Sequence, residues 1–421
     1  MNVVLIVIES LRTDHLGAYG YFRGTSACLD DLAREGVVFD FFHSQSTHTA
    51  EACASIITGK SPLYSNETPL AKENDPQSTI AEAFRANGKV TCCVDGLFSL
   101  PSHPCLFHRG YQCVVDPTPI PGRPHHVGAE AVTQQALRWL EHHRDSPFFL
   151  FLHYWDPHPP FNQPPAFKTL FDHSRDELTA RAVEAPSGQI WVPHAGALER
   201  LTAEMLERID RYDGEIAYVD AEVSRLLGGM KDLGIYNDSC VVITSSHGMD
   251  LLEHHDPFSH SETYQETLQV PLIMKPSATQ SDWPRGGRVS QPATHRDLFP
   301  TLLSAEGIDP SEILPSEETW DLQPFIEGIR QEQNRVLLSA GSYVETPEVW
   351  GFREISLSTS KHKLIARKQE LSSEASWELY DLEVDPMETN DLSEVDPDTL
   401  EEMKKEFASR APRSAFSMNP I

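Results

Sequence analysis

Apolar residues along this chain fall into two patterns: short unbroken runs, and longer stretches in which they return every third or fourth position. The runs are Asn2–Ile8, Lys89–Asp95, Pro147–His153, Ser239–Ser245 and Val270–Met274. Each has the length of a strand and is apolar on both faces, which predicts strands covered on both sides by helices. The clearest periodic stretch extends from Glu199 to about Met230. Its Leu201, Met205, Ile209, Tyr212, Ile216, Val219, Val223 and Leu226/Leu227 share one face of a helix, and Gly228-Gly229 with Gly234 predict its end. Strand runs separated by helical stretches predict an α/β fold with a mixed, largely parallel sheet.

The pattern changes near residue 310, where we place a domain boundary: an α/β domain over 1–310 and a C-terminal α+β subdomain over 311–421. In the latter, Arg335–Ala340 and Ile355–Arg367 predict short antiparallel strands around a turn at Ser360-Lys361-His362. An acidic stretch, Glu374–Glu402, and a polar tail follow. Between Pro157 and about Ala197 lies a segment rich in Pro, His, Asp and Glu. It is long for a simple connection, so it reads as a substrate-facing loop, with a solvated insertion as the alternative.

Composition narrows the class of partner. The formal charge is −29, and only 11 of the 34 basic residues are lysine. That excess of acid disfavours nucleic acid and anionic membrane as partners, and no apolar run approaches the length of a membrane span. The chain opens on a strand without a basic leader, which predicts a cytoplasmic location. The seven cysteines (28, 53, 92, 93, 105, 113 and 240) lack metal-ligand spacing. Cys105 and Cys113 could pair across a loop, although reduced thiols fit a cytosolic chain.

Candidate chemistry gathers where strands end. Glu9-Ser10, with Arg12 and Asp14, follows the first run, and Asp156-Pro157-His158 follows Phe148–Leu152. Ser245-Ser246-His247-Gly248 follows Cys240–Thr244, trailed by Glu253, His254, His255 and His260. Thr49 stands ahead of the helical stretch that stops at Thr58-Gly59. Ligands bind at the carboxyl ends of strands in open α/β sheets, so acids, histidines and a hydroxyl at one sheet edge point to a site.

These segments, in this order, resemble the sulfatase branch of the alkaline phosphatase superfamily. The resemblance runs from Asn2–Gly20, through Ala54–Pro62, Asp156–Phe161, Tyr212–Ile216 with Val219-Asp220, and Thr244–Gly248. It continues through Tyr264–Ile273 and Asp297–Leu303 to Glu378–Leu382 with Asp385-Pro386. It implies an alkaline-phosphatase-like three-layer sandwich and a metal-dependent hydrolase of small anionic esters: sulfates, phosphodiesters or phosphonates.

In the family register Thr49 takes the position of the cysteine or serine matured to formylglycine. Threonine cannot form that aldehyde, which leaves it as a direct alkoxide nucleophile or, on local sequence, as an N-cap of the next helix. Cys53 is the rival, but Ile57 stands where the maturation signal needs arginine. The resemblance assigns Glu9, Ser10, Thr49, Ser246 and His247 to one divalent ion, Ca²⁺, Mg²⁺, Mn²⁺ or Zn²⁺. Glu9 replaces an aspartate, and Ser246 removes a carboxylate altogether, so the site should bind a hard cation weakly unless Asp14 or Asp250 contributes. If Thr49, Glu9 and His247 share one ion, their ligand atoms are expected on the order of 4–6 Å apart. His260 and His158 take catalytic positions, His260 as leaving-group acid or anion holder. Arg12 and His254 take substrate-contacting positions. Ser246, with Glu51, Ala52 and Cys53 around the nucleophile, motivates a second reading: a degenerate, non-catalytic protein that binds an anionic ligand or partner. A phosphotransferase is the third.

Overall fold

Asn2–Ile8, the first apolar run, lies near the middle of the main sheet. The computed structural model describes residues 1–64, 79–96, 106–117, 127–172, 202–254, 258–313, 319–332, 334–345, 349–368, 375–412 and 419–420. Its first ten strands are β1 (Asn2–Ile8), β2 (Val37–Phe39), β3 (Phe42–His43), β4 (Val90–Asp95), β5 (Cys113–Val115), β6 (Phe148–Tyr154), β7 (Ser239–Thr244), β8 (Leu272–Lys275), β9 (Gly287–Val289) and β10 (Ala293–Thr294). Eight of them form one sheet in the order β5-β4-β6-β1-β7-β8-β2-β9. The block from β5 to β7 is parallel, and β8 runs against both of its neighbours. The sheet is therefore mixed and largely parallel, as the apolar runs predict. The run 270–274 is displaced by two residues at its start, because Val270 is spent on a bond to the carbonyl of Phe42 before pairing begins.

Alternation along β1 divides the core. Val4, Ile6 and Ile8 pack with the long helix Ala203–Asp232 and with helices Ala27–Glu35 and Ala129–His143. Val3, Leu5 and Val7 pack on the other face with helices Thr49–Thr58, Ile80–Ala86 and Leu298–Ser304. That is the three-layer sandwich. The long helix is capped by the Thr202 side chain, which accepts the amide of Met205. Its buried Ile209, Tyr212, Ile216, Val219, Val223, Leu226 and Met230 keep the period of a helix facing a core.

Gly228-Gly229 do not end this helix, contrary to the sequence expectation. It runs to Asp232 and stops before Gly234, whose φ of 74° supplies the left-handed turn. Gly229 serves packing instead: a Cβ there would come within 2.3 Å of a methyl of Leu137 on the crossing helix.

Four further strands, β11 (Leu337–Glu345), β12 (Val349–Ser358), β13 (His362–Lys368) and β14 (Ala375–Asp381), form an antiparallel sheet joined by the short strand Asn419–Pro420. Helix Pro397–Arg410 covers this sheet through Met403 and Phe407. Its first strand is stitched to the segment ahead of Thr49. Thr47 donates to the carbonyl of Ala340 and Ala340 to that of Gln45, both at 3.0 Å, and Ser339 Oγ donates to the Ser44 carbonyl at 2.7 Å. The position of Thr49 therefore depends on residues nearly three hundred positions away. No described helix is long and apolar enough to cross a membrane.

Cys28, Cys53, Cys92, Cys93, Cys113 and Cys240 form no disulfide among the described residues, while Cys105 and most of the 157–197 segment, from residue 173, lie outside the described residues.

Candidate active site

Register across the sheet lines up the carboxyl ends of four strands. Asp95 pairs with His153, His153 with Val7, and Val7 with Thr244. Glu9 immediately follows β1, its amide bonded to the carbonyl of Tyr154, and Ser10 adopts φ 56°, an unusual left-handed conformation for a serine. Ser245 fastens this turn to the one after β7: its Oγ accepts the Leu11 amide at 2.9 Å and donates to the His247 carbonyl at 2.6 Å.

Glu9 is fully buried and holds the site together. Its Oε1 lies 2.5 Å from Thr49 Oγ1 and 2.8 Å from His247 Nε2, and its Oε2 lies 2.8 Å from His153 Nε2. The far nitrogen of His153 faces Asp95 Oδ1 at 3.0 Å. Burial alone would push the Glu9 carboxyl up. The charge of His247 and the hydrogen bonds of both histidines outweigh it and hold Glu9 well below the usual carboxylate range. Burial works against a charged His153 too, but its bonds to Asp95 and Glu9 win and raise it to about 9.

Thr49 is the first residue of helix Thr49–Thr58, and His48 is the N-cap without a side-chain cap bond. The threonine hydroxyl is thus spent on Glu9 and on His247, 3.3 Å away, instead of on capping. Cys53 is buried in the same helix, and burial raises its thiol well above the ordinary value, which makes it a poor nucleophile.

His260 stacks on His247, ring centroids 4.0 Å apart. Its Nδ1 donates to the Thr47 carbonyl at 2.7 Å, leaving Nε2 to face His158 Nε2 at 3.4 Å. Burial, then the neighbouring His247, His158 and His48, push His260 well below its ordinary value, so it is neutral at physiological pH. The structure therefore brings together Glu9, Thr49, His247, His260 and His158.

Arg12 and His254 are placed in an adjoining network. Arg12 is buried; its Nε and Nη2 bond to Asp14 at 2.9 and 2.7 Å, and its Nη1 to the Met249 carbonyl at 2.8 Å and Glu253 at 2.9 Å. His254 donates from one nitrogen to Glu266 at 2.7 Å and from the other to the Glu388 carbonyl at 3.0 Å, with its ring flat on Tyr264.

Sequence reasoning missed Asp95 and His153 as site residues. Asp95 ends a strand as Glu9 follows one, and His153 interrupts the apolar run of β6, which is the signal that was available.

The donor set fits a divalent ion. Glu9 Oε1, Thr49 Oγ1 and His247 Nε2 are 2.5, 2.8 and 3.3 Å from one another. These separations are shorter than expected from sequence, but ligands bonded to one ion at ~2.0–2.5 Å sit about 3 Å apart. His247 Nδ1 faces the Gly248 carbonyl at 2.8 Å, so its Nε2 meets the Glu9 carboxylate through the second proton of a charged ring, which a bound cation would replace. Such a contact needs a proton or a cation between its atoms. Ser10 Oγ and Ser246 Oγ, the two hydroxyls that the sequence resemblance expects among the ligands, are buried with no hydrogen-bond partner among the described residues. A separate group of three acids, Asp250, Glu253 and Glu266, also brings ligand oxygens within 4.8 Å of one another. Arg12 and His254 already pair with two of these, and burial keeps Asp250 protonated to about 8.

A protein-family model described as Sulfatase matches residues 1–308. The mouse iduronate 2-sulfatase is 26% identical, with 83% of this chain and 76% of that protein covered. An arylsulfatase of Clostridium perfringens is 24% identical, covering 93% and 90%. Among solved structures, the phosphonate monoester hydrolase of Agrobacterium radiobacter superposes with a TM-score of 0.72 at 19% identity, over 97% of this chain and 95% of that one. A structure in complex with its substrate D-glucosamine-2-N,6-O-disulfate has the same TM-score, with 98% and 99% covered.

Proposed function

Because this chain belongs to the sulfatase family, we propose that it hydrolyses a small anionic sulfate, phosphodiester or phosphonate ester, with Thr49 as the attacking group. The observation that carries the reading is the 2.5 Å contact between Thr49 Oγ1 and Glu9 Oε1 at the start of a ten-residue helix. The helix amides favour the anionic group there.

Thr49 Oγ attacks sulfur or phosphorus while its proton passes to Glu9. A carboxylate held this acidic is a weak base, so proton transfer accompanies attack. A divalent ion held by Glu9, Thr49, His247, Ser10 and Ser246 would lower the threonine hydroxyl pKa and neutralise charge on the transferred group. The bond to the leaving oxygen breaks, and that oxygen takes the proton that His158 Nε2 holds towards neutral His260; the water that cleaves the Thr49 ester in the next step returns one. Water then cleaves the Thr49 ester, releases the acid and restores the hydroxyl. His153, held charged between Glu9 and Asp95, fixes the orientation of Glu9.

Acid-quenched turnover of a nitrophenyl phosphonate, followed by mass spectrometry, tests the reading. It predicts a covalent adduct on the peptide that contains Thr49; turnover with the adduct elsewhere would overturn it. Ser246, a neutral residue where the family places a carboxylate ligand, favours the second reading: an anion-binding protein without turnover.

A further inference from the structure

The Tyr212–Asp220 segment of the long helix carries three carboxylates that each hold a different part of the chain. Asp213 takes His15 Nδ1 and the Tyr21 hydroxyl, both at 2.7 Å. Asp220 accepts the amides of Cys28 and Leu29 at 2.9 Å, at the start of helix Ala27–Glu35. Glu215 is different. Its Oε1 accepts the Gln163 amide at 2.8 Å, while its buried Oε2, with no donor among the described residues, stands beside a second carboxyl, that of Asp156. Asp156 Oδ2 in turn accepts the Ala129 amide at 2.7 Å. Both side chains are buried. Two carboxyl groups can hydrogen-bond only when one of them carries a proton.

The segment between these two anchors carries His158. At its far end Gln163 Nε2 donates to the Arg211 carbonyl at 2.7 Å. Gly214 lets the segment lie against the helix: a Cβ there would come within 2.4 Å of the Phe167 carbonyl oxygen and 2.8 Å of Gln163 Nε2.

We propose that Glu215 is a positioning residue which, through a proton shared with Asp156, clamps residues 156–163 and hence His158, and that the clamp loosens as this proton is lost at alkaline pH. Its meaning for catalysis rests on the role proposed for His158; the clamp itself does not.

The surrounding charges favour retention of the proton. Burial raises Asp156 to about 6, against the lowering effect of the Ala129 amide. Burial and then the Asp156 charge raise Glu215 to about 8. Glu222 and Tyr218 face the pair from the long helix, and Glu130 stands at the start of helix Ala129–His143. Arg225, also on the long helix, is bonded to Glu222 at 2.6 Å. Both carboxyls hold protons more tightly folded than unfolded, so the closed segment is favoured at low pH. It weakens as pH rises through about 6 to about 8.

Amide hydrogen exchange of residues 155–168, corrected for intrinsic rates, tests this between pH 6 and 10 in wild type and in Glu215→Gln. Glutamine donates to Asp156 without an ionisable proton. Wild-type protection should fall by up to about tenfold per pH unit between pH 6 and about 8, where the closed segment keeps a proton that the open one releases, and level off above; the variant's should stay level throughout. Asp156→Asn, which donates in the opposite sense, should level it too and serves if Glu215→Gln does not fold. Unchanged wild-type protection, or the same slope in a folded variant, would overturn the clamp. Exchange needs no turnover, so failure of ester hydrolysis would count against the proposed function and leave this result standing.

Discussion

Thr49 Oγ1 and Glu9 Oε1 lie 2.5 Å apart, at the start of a helix and the end of a strand forty residues earlier. The contact is the shortest link between the two halves of the site, and it makes Glu9 answerable to two demands. The same oxygen meets His247, while the other oxygen meets His153. Replacing Glu9 by glutamine removes the proton acceptor and the only carboxylate in the proposed ligand set. Turnover should fall by roughly 10²–10⁴-fold, the span for loss of a general base, as read from kcat/KM at fixed metal concentration.

Ser246 is the residue at which the ligand set loses a charge. Its Oγ is buried and without a partner among the described residues, so a carboxylate at this position would gain a cation and disturb none of the bonds described. Ser246→Asp should bind Mn²⁺ or Ca²⁺ at least about tenfold more tightly, because affinity in such sites follows the number of charged oxygen ligands. Calorimetric titration reads this directly.

Arg12 has every donor group engaged by Asp14, Glu253 and the Met249 carbonyl. Arg12→Met removes the cation from buried Glu253, which keeps only backbone amides such as those of Leu251 and Leu252 on its other oxygen, and breaking a buried pair in this way costs about 3–5 kcal/mol. Urea unfolding should show that loss, and Arg12→Met combined with Glu253→Gln should recover part of it. A variant of unchanged stability with a raised KM would instead make Arg12 a substrate contact.

His254 donates to Glu266 and to a backbone carbonyl. Burial opposes its charge, but the Glu266 charge and bond prevail and raise it to about 10. The unfolded value is about 6.5, so the folded protein binds this proton more tightly. The stabilisation is fully present below about 6.5 and lost as pH climbs towards 10. The gap in melting temperature between wild type and His254→Asn should be largest near pH 6 and narrow on the alkaline side.

The strands covered on both faces were legible because each is an apolar run at least four residues long. β2, β5 and β9 were not, since three residues give no period to read. Glu9, Thr49, His247, His260 and His158 could be named from chain order and family register, yet nothing in that order separates them from Arg12 and His254. The distinction lies in which groups surround each one, and those partners come from other segments: the Glu253 carboxylate for Arg12, the Glu266 carboxylate and the Glu388 carbonyl for His254. Asp95 and His153 were hidden for a related reason. Each reads as the end of its own strand, and only the pairing of β4 with β6 sets them side by side.

Turnover of a nitrophenyl panel (sulfate, phosphate monoester, phosphodiester and phosphonate) with Mn²⁺, Zn²⁺, Mg²⁺ or Ca²⁺, wild type against Thr49→Ala, tests the central claim most directly. The account predicts metal-stimulated hydrolysis of at least one ester, abolished in Thr49→Ala. Equal turnover by the two proteins, or background rates on every ester and metal, would contradict it and favour the anion-binding reading.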